Sequence, residues 1–353
     1  MRRIHSERII IAVSALAFSS CLWAADGKAA RPNLIHPTDS AGVDARGPIG
    51  QPVLGFVAEN SPVHLRAIVG VPGSASLSDP LPLPDDATLL RLAPDQTYAL
   101  VQRSSADPVV LRLKTSGGAP IQLPGALQKP DFIAFSPKGR SVLLYSADTA
   151  RLQVISGLPN SPSITWDIDT SSFLEQPVDA AISDDSTLAL FTSTNAVYRL
   201  DRAGVAQQLL SVRQAAALSF LPETTQAAIG DRGAGTFYLL RSDSGPAVQI
   251  ASGLTEIDKL APAADGQSIW FTSPSGKAIS SLNLKTAELR TIPLPISPSR
   301  LDGLRSRGMF LIATAPGAPT WMLYQPTDGD IQATFVPANM DQDVLEQLAG
   351  VVK

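Results

Sequence analysis

The sequence has few of the side chains that most often carry catalysis or bind metal ions. Its 353 residues include one cysteine, Cys21, and three histidines, His5, His36 and His64. A single cysteine cannot form an intramolecular disulfide bond. Two of the histidines lie near the N terminus, which leaves only His64 for a main domain. A catalytic triad or zinc site built on histidines is therefore not expected there.

Charge is also scarce, since Asp, Glu, Lys and Arg together make up only 17% of the chain. The net charge is −4, the pI is about 5.4, and no basic cluster follows residue 8. Proteins that follow a phosphate backbone carry a basic face, which excludes nucleic acid as the partner. Hydrophobic residues make up 44%, enough for a large core rather than a disordered chain.

Sequence motifs for common catalytic sites are missing as well. There is no Gly-x-Ser-x-Gly, no Walker loop and no His-Glu-x-x-His, and GDRGAG at 230–235 lacks the spacing of a dinucleotide fingerprint. Their absence favours a protein that binds rather than catalyses.

The first 24 residues have the layout of a secretory signal peptide: Arg2, Arg3 and Arg8, then an apolar run, then small residues. We therefore expect an exported protein that is periplasmic, associated with the outer membrane, or secreted. Cys21 ends the apolar run within FSSC, which is similar to a bacterial lipobox except that Phe18 replaces the usual Leu. Either Cys21 is removed with the signal, or it is acylated and ties the chain to a membrane.

Two further segments flank the predicted main domain, which spans residues 52–340. Residues 25–51 mix Ala, Gly, Pro and Asp without periodicity, which predicts a flexible tether. Residues 341–353 place Val344, Leu348 and Val352 along one helical face, which predicts a short C-terminal helix.

A repeat of about 42 residues dominates the region from residue 88 onward. Six copies are visible, and each places a strand-like run, a turn rich in Pro, Asp, Gly or Ser, and a second strand in that order. Third and fourth strand-like runs usually follow. Four strands in about 42 residues make one propeller blade. A lone blade exposes both faces, so its apolar residues are buried only between two neighbours.

The hairpins FSPKGRSVLLYS and APAADGQSIWFTS resemble the Ser-Pro-Asp-Gly hairpins of bacterial exported WD40-like, YVTN-type and TolB-like β-propeller repeats. The resemblance covers about residues 54–337 and implies an all-β propeller. Only the copy at Asp265 and Gly266 keeps Asp-Gly, and the WD dipeptide occurs once, at Trp166 and Asp167, where we interpret Trp166 as a packing residue.

The number of blades depends on the region before the first full copy. VLGFVAEN and VHLRAIVGVPG are interpreted as the third and fourth strands of another blade, which is either thin or completed by residues of the tether or the C terminus. This gives seven blades, and six blades with an added hairpin is the alternative. Closure matters because an open ring leaves a bare blade face.

Ligands of propellers usually meet the face formed where strand 2 joins strand 3 and strand 4 joins the next blade. The charged candidates for ligand binding at these connections are Arg103, Asp148, Arg151, Asp231, Arg232 and Lys277. Three acid pairs could instead hold calcium through oxygen atoms or simply form turns: Asp167 with Asp169, Asp184 with Asp185, and Asp328 with Asp330.

Three functions remain open. The first is a non-enzymatic exported propeller whose rigid face binds a protein, peptide or glycan. The second, implied by the resemblance, is a propeller hydrolase or lyase, lactonase-like, that uses carboxylates with or without calcium. The third is a purely structural envelope module, and fold alone does not choose among them.

Overall fold

The computed structural model describes residues 52–113, 119–173, 175–306, 308–313, 320–324 and 330–337. In these ranges the chain forms 27 strands and no helix. All of the described residues belong to one compact unit, residues 50–353.

The strands fall into seven sheets, which we number as blades 1 to 7 in chain order. Blade 1 contains β1 (Val53–Asn60), β2 (Val63–Val71) and β3 (Ser74–Leu77). Blade 2 contains β4 (Ala87–Leu92), β5 (Tyr98–Arg103), β6 (Val109–Arg112) and β7 (Ile121–Gln122). Blade 3 contains β8 (Phe132–Phe135), β9 (Ser141–Ser146), β10 (Arg151–Ser156) and β11 (Ser163–Asp169).

The remaining four blades are four-stranded. Blade 4 contains β12 (Asp179–Ile182), β13 (Leu188–Thr192), β14 (Ala196–Asp201) and β15 (Ala206–Ser211). Blade 5 contains β16 (Ala217–Phe220), β17 (Ala227–Asp231), β18 (Thr236–Leu240) and β19 (Ala247–Ala251). Blade 6 contains β20 (Leu260–Pro262), β21 (Ser268–Ser273), β22 (Ala278–Asn283) and β23 (Leu289–Pro293). Blade 7 contains β24 (Asp302–Gly303), β25 (Phe310–Ala313), β26 (Thr320–Tyr324) and β27 (Gln332–Val336).

Each blade is an antiparallel meander, because every strand pairs with its neighbour in the chain. First strands of successive blades contact one another, as β8, β12, β16 and β20 do, so the first strand of each blade is innermost. The chain is therefore a seven-bladed β-propeller, as the seven-blade interpretation predicts, and the six-blade alternative is wrong.

The hydrophobic core is divided among the seven interfaces between blades. Each of the seven clusters of buried apolar residues draws its members from two neighbouring blades. Trp166, 2% exposed, belongs to the cluster between blades 3 and 4, which confirms its packing role. This arrangement explains why the sequence repeats, because each sheet buries both of its apolar faces only by stacking between two similar sheets.

Blade 1 is thin, as predicted, but its strands were assigned to the wrong positions by the sequence. β1 and β2 are its first and second strands, not the third and fourth, because β1 contacts the innermost strand β4. In β1, Leu54 and Val57 pack on blade 7, whereas Phe56 and Ala58 pack on blade 2. A strand that is buried on both faces lies inside the ring.

The ring closes where blade 7 meets blade 1. One apolar cluster joins Ile68 and Leu77 of blade 1 to Leu311 and Met322 of blade 7. The backbone N–H of Leu77 also donates to the carbonyl oxygen of Pro337, directly after β27, at 3.2 Å. The first and last blades are thus joined without a covalent link.

Buried polar side chains also connect neighbouring blades at the face that carries the hairpins between strands 1 and 2. The Asp184 carboxylate, 7% exposed, accepts the N–H of Lys138 in blade 3 at 2.8 Å and that of Glu223 in blade 5 at 2.9 Å. Gln96 of blade 2 binds the N–H and the carbonyl oxygen of Phe56 in blade 1. These contacts fix the blades relative to one another, which makes the ring a rigid frame for a site.

Several sequence predictions concern residues outside the described ranges. These are the signal peptide at 1–24 with Cys21, the tether at 25–51 and the C-terminal helix at 341–353. Within the described ranges no helix has the length and hydropathy needed to cross a bilayer.

Candidate functional site

A channel with a volume of about 570 Å³ lies among the innermost strands. Innermost strands line it, and every blade contributes: Ala58, Leu90, Ile133, Asp179, Ser219, Leu260 and Asp302 are among the lining residues. A cavity of this size is in the range that binds small molecules or the side chains of a peptide.

We call the two ends of the channel the upper and lower faces. The upper face is the one on which strand 2 joins strand 3 and strand 4 joins the next blade. Strand polarity is the same in blades 2 to 7, so the first residue of each of their innermost strands lies at the upper face. In blade 1 the innermost strand β1 runs the other way, since Leu54 contacts the hairpin of blade 7 and Ala58 contacts Arg300. Asp179 is such a residue, as it begins β12.

Charges of both signs meet on the upper face across three blades, and one of them, Asp179, lines the channel. Arg232 of blade 5 donates from Nη2 to the carbonyl oxygen of Asp258 in blade 6 at 3.0 Å, and lies 3.4 Å from its Oδ1. Lys259 Nζ lies 4.0 Å from the same Oδ1. Asp179 of blade 4 faces this group closely enough to feel the charges of Arg232, Lys259 and Asp258. We call Asp179, Arg232, Asp258 and Lys259 the rim cluster.

Asp179 has an unusual protonation equilibrium. Burial raises the pKa of its carboxyl above the usual value, while the N–H of Ala180 and the charges of Lys259 and Arg232 act in the opposite direction. The Ala180 N–H donates to Asp179 Oδ1 at 2.8 Å. A partly buried carboxyl beside two cations is suited to receiving a polar group from a ligand.

Arg232 keeps part of its hydrogen-bonding capacity. Its Nε is buried and has no hydrogen-bond partner in the part of the chain that the structure describes. Asp231, 2% exposed, accepts the backbone N–H groups of Arg213, Gly233 and Ala234 and so holds the turn that carries Arg232. Asp231 therefore positions its neighbour.

A second ion pair continues the rim in blade 7. Arg300 Nε donates to Asp302 Oδ2 at 2.6 Å, and its Nη1 donates to the carbonyl oxygen of Ala58 in blade 1 at 3.0 Å. This pair both borders the channel and bridges the closing interface.

The six candidates from the sequence all lie at connections between strands 2 and 3, hence on the upper face, but the structure does not gather them. Arg103 pairs with Asp86 in blade 2 at 2.8 Å. Arg151 pairs with Asp167 on the outer strands of blade 3, where Asp148 is exposed.

Of the other three, Asp231 and Arg232 lie in blade 5 and Lys277 in blade 6. The Lys277 side chain is exposed, and its backbone has a positive φ of 46°. Only Arg232 belongs to the rim cluster.

The acid pairs behave mainly as turn and surface groups. Asp185 accepts Ser183 Oγ and the N–H of Thr187 within its own hairpin, and Asp169 accepts the N–H of Ser171. Asp330 pairs with Arg290 at 3.1 Å, and Asp328 lies outside the described residues. Among the described residues, no group of three or more His, Cys, Asp or Glu is placed to hold a metal ion.

Sequence reasoning missed Asp179, Asp258, Lys259 and Arg300 because all of the candidates that it named lie between strands 2 and 3, although the connections from strand 4 to the next blade belong to the same face. The signal was present in the repeat itself. When the copies are aligned on their hairpins, Asp179, Lys259 and Arg300 fall at the same position, four residues before the residue that opens the hairpin. A charged residue where a strand begins at the channel marks this rim.

Comparison with solved structures finds several proteins of similar fold. A functionally unknown protein from Desulfotomaculum acetoxidans DSM 771 matches with a TM-score of 0.56 and 13% identity, covering 82% of this chain and 100% of that one. Hydrazine synthase from Kuenenia stuttgartiensis matches with a TM-score of 0.52 and 12% identity, covering 84% and 99%.

The WD40 repeats of RRP9 match with a TM-score of 0.51 and 11% identity, covering 70% of this chain and 80% of that one. No protein-family model matches the chain, and no curated protein sequence matches it significantly. At these identities the similarities establish the fold alone: this chain is a β-propeller repeat protein.

Proposed function

We propose that this protein is an exported, non-enzymatic propeller that binds a charged polypeptide segment at the upper end of its axial channel. The observation that supports the proposal is the rim cluster, which brings together two carboxylates and two cations from three blades on the upper face, with Asp179 lining the channel. A peptide carries alternating donors, acceptors and charged side chains, which suits a mouth of mixed charge. A rigid ring lowers the entropy lost on binding.

Panning random peptides against the intact protein tests the proposal. Peptides that bind the wild type should lose at least about tenfold in affinity to Arg232→Gln or Lys259→Gln, because a charge partner is removed from a partly buried site. Arg151→Gln is the matched control, since it makes the same change on the same face but in the outer strands of blade 3. Thermal unfolding should confirm that each variant is folded.

The proposal fails if no peptide is enriched, or if the enriched peptides bind the Arg232→Gln and Lys259→Gln variants as well as they bind the wild type. Loss of binding in the Arg151→Gln control would place the peptide elsewhere on the upper face.

Export is supported by the N-terminal sequence, and the fate of Cys21 separates two forms of the protein. Acylation predicts that the protein fractionates with membranes and incorporates a labelled fatty acid, and that Cys21→Ser abolishes both. Cleavage after residue 24 predicts a soluble exported protein that begins at Ala25. Mass spectrometry of the mature N terminus distinguishes the two forms.

A second candidate, carboxylate-based catalysis, is favoured by one observation, the raised pKa of Asp179. A carboxyl that stays protonated closer to neutral pH can act as a general acid. Calcium binding remains a prediction that metal analysis of the purified protein would check. Turnover in a lactonase, lyase or glycosidase screen that disappears in Asp179→Asn would favour this candidate over a binding protein.

A further inference from the structure

A second cavity lies away from the axis, between blades 1 and 2, and has a volume of about 660 Å³. Its walls are mainly apolar: Phe56 and Leu65 of blade 1 face Val109 and Leu111 of blade 2 across it. Well-formed apolar cavities of this size with few polar groups are the usual form of a small-molecule site.

The sequence explains why this interface contains a cavity. Blade 1 ends after three strands, and the chain then passes to blade 2 through the segment Ser78–Asp86, SDPLPLPDD. Pro80, Pro82 and Pro84 have no N–H and cannot extend a ladder of hydrogen bonds. Ser78 and Leu81 still donate to β2, but the prolines carry the chain outward as one wall of the cavity.

The charged side chains in the lining are cationic, and Gln122 adds a neutral amide. Arg103 and Arg112 line the cavity, and no Asp or Glu is found among its described lining residues. The Arg103 guanidinium is held by Asp86 through Nε at 2.8 Å, and its hydrogen bonds in the described part of the chain run through that atom alone. Arg112 donates from Nη2 to Asn160, and its Nε is buried without a partner among the described residues.

Two cations beside an apolar space favour a ligand with an apolar body and an anionic head. Guanidinium groups bind carboxylates strongly through charge-assisted hydrogen bonds. We propose that this cavity binds an amphipathic carboxylate such as a medium-chain fatty acid, with its carboxylate at Arg103. This site is independent of the rim cluster and of the peptide that the rim is proposed to bind.

Calorimetric titration of the full chain with decanoate and with decyltrimethylammonium tests the proposal. The two probes share a ten-carbon tail and differ in the sign of the head. Decanoate should bind at least about tenfold more tightly than decyltrimethylammonium. Octanoate should bind more weakly than decanoate, by about fourfold for each of the two methylenes that it lacks.

Two variants separate the contributions of head and tail. Arg103→Gln should lower decanoate affinity at least about tenfold and abolish the discrimination between the two probes, because the interaction with the carboxylate is lost. Leu111→Asn, at a half-buried wall position, should weaken binding of both probes. Arg151→Gln, which removes an arginine of blade 3, is the matched control and should change neither affinity.

Equal affinity for the two probes, no binding of decanoate, or unchanged decanoate affinity in Arg103→Gln would overturn the proposal. If sedimentation equilibrium shows a dimer that decanoate does not dissociate and Leu111→Asn does, a second copy occupies the cavity and the proposal is also overturned. Peptide binding at the rim cluster is measured separately, so either proposal can fail alone.

Discussion

The Asp184 carboxylate offers the sharpest test of how the blades are held together. It accepts one N–H from blade 3 and one from blade 5, so a single side chain of blade 4 ties three blades. Asp184→Ala removes both bonds. Hydrogen bonds to a charged group contribute about 1.5 to 3 kcal/mol each, and the partner positions are only partly buried, so we expect a loss of about 3 kcal/mol.

The hairpin itself should tolerate the substitution. Ala264 occupies the equivalent position in blade 6. The hairpin there forms the same backbone hydrogen bonds as the hairpin of Asp184, since the N–H of Ala263 donates to Ser268 and that of Gly266 donates to Ala263. The loss in Asp184→Ala therefore comes from contacts between blades rather than from a distorted turn. Asp184→Asn keeps one acceptor oxygen and should lose about half as much stability.

Thermal unfolding at a fixed scan rate measures the effect, because large rings often unfold irreversibly. At about 2 °C per kcal/mol, the midpoint of Asp184→Ala should fall by roughly 6 °C. The control is Asp265→Ala, whose carboxylate accepts, among the described residues, just the N–H of Gln267 in its own turn. The reasoning is refuted if the two variants lose the same stability.

Three further predictions concern the core, a turn and the rim. Phe271→Ala should lose about 3 to 5 kcal/mol in urea unfolding, because it opens the interface where its ring lies 5.1 Å from that of Phe237. Gly235→Ala should fold poorly in expression and thermal assays, because φ is +60° and a Cβ would lie 2.0 Å from the Leu254 carbonyl oxygen. The raised pKa of Asp179 means that the folded state binds a proton more tightly than the unfolded state, so the contribution of this group to stability falls as pH rises above the ordinary carboxyl value of about 4. Urea midpoints measured at about pH 4 and about pH 7 should therefore rise more with pH, or fall less, in Asp179→Asn than in the wild type, and the same pH dependence in both would contradict the prediction.

Much of the ring could be predicted from the repeat, because the alternation of apolar strands and Pro-, Asp- and Gly-rich turns is a local property of each copy. Blade 1 departs from that pattern. Its third strand is Ser74–Leu77, SASL, made of small and polar residues that carry little strand signal. Without that strand the sequence placed VLGFVAEN too far out in the sheet.

The sequence predicted the face on which the candidate site lies, but only one residue of the rim cluster, Arg232. Connectivity fixes which loops share a side of the ring, so all six candidates lie on the upper face. Distance from the axis depends on the position along each sheet, which a single repeat does not reveal. Arg151 and Asp148 therefore lie on or beside outer strands, whereas Arg232 lies beside Asp258, which precedes the innermost strand of the next blade.

The seam between blades 7 and 1 has a consequence for how the molecule is made. Arg300 donates to the carbonyl oxygen of Ala58, a partner 242 positions earlier in the chain. During synthesis from the N terminus, the face of blade 1 that packs on blade 7 stays exposed until blade 7 has been synthesised. Blade 1 is thus the first blade to be synthesised and the last to have both faces buried. A circular permutant opened between two later blades would move that delay to a different pair of neighbouring blades.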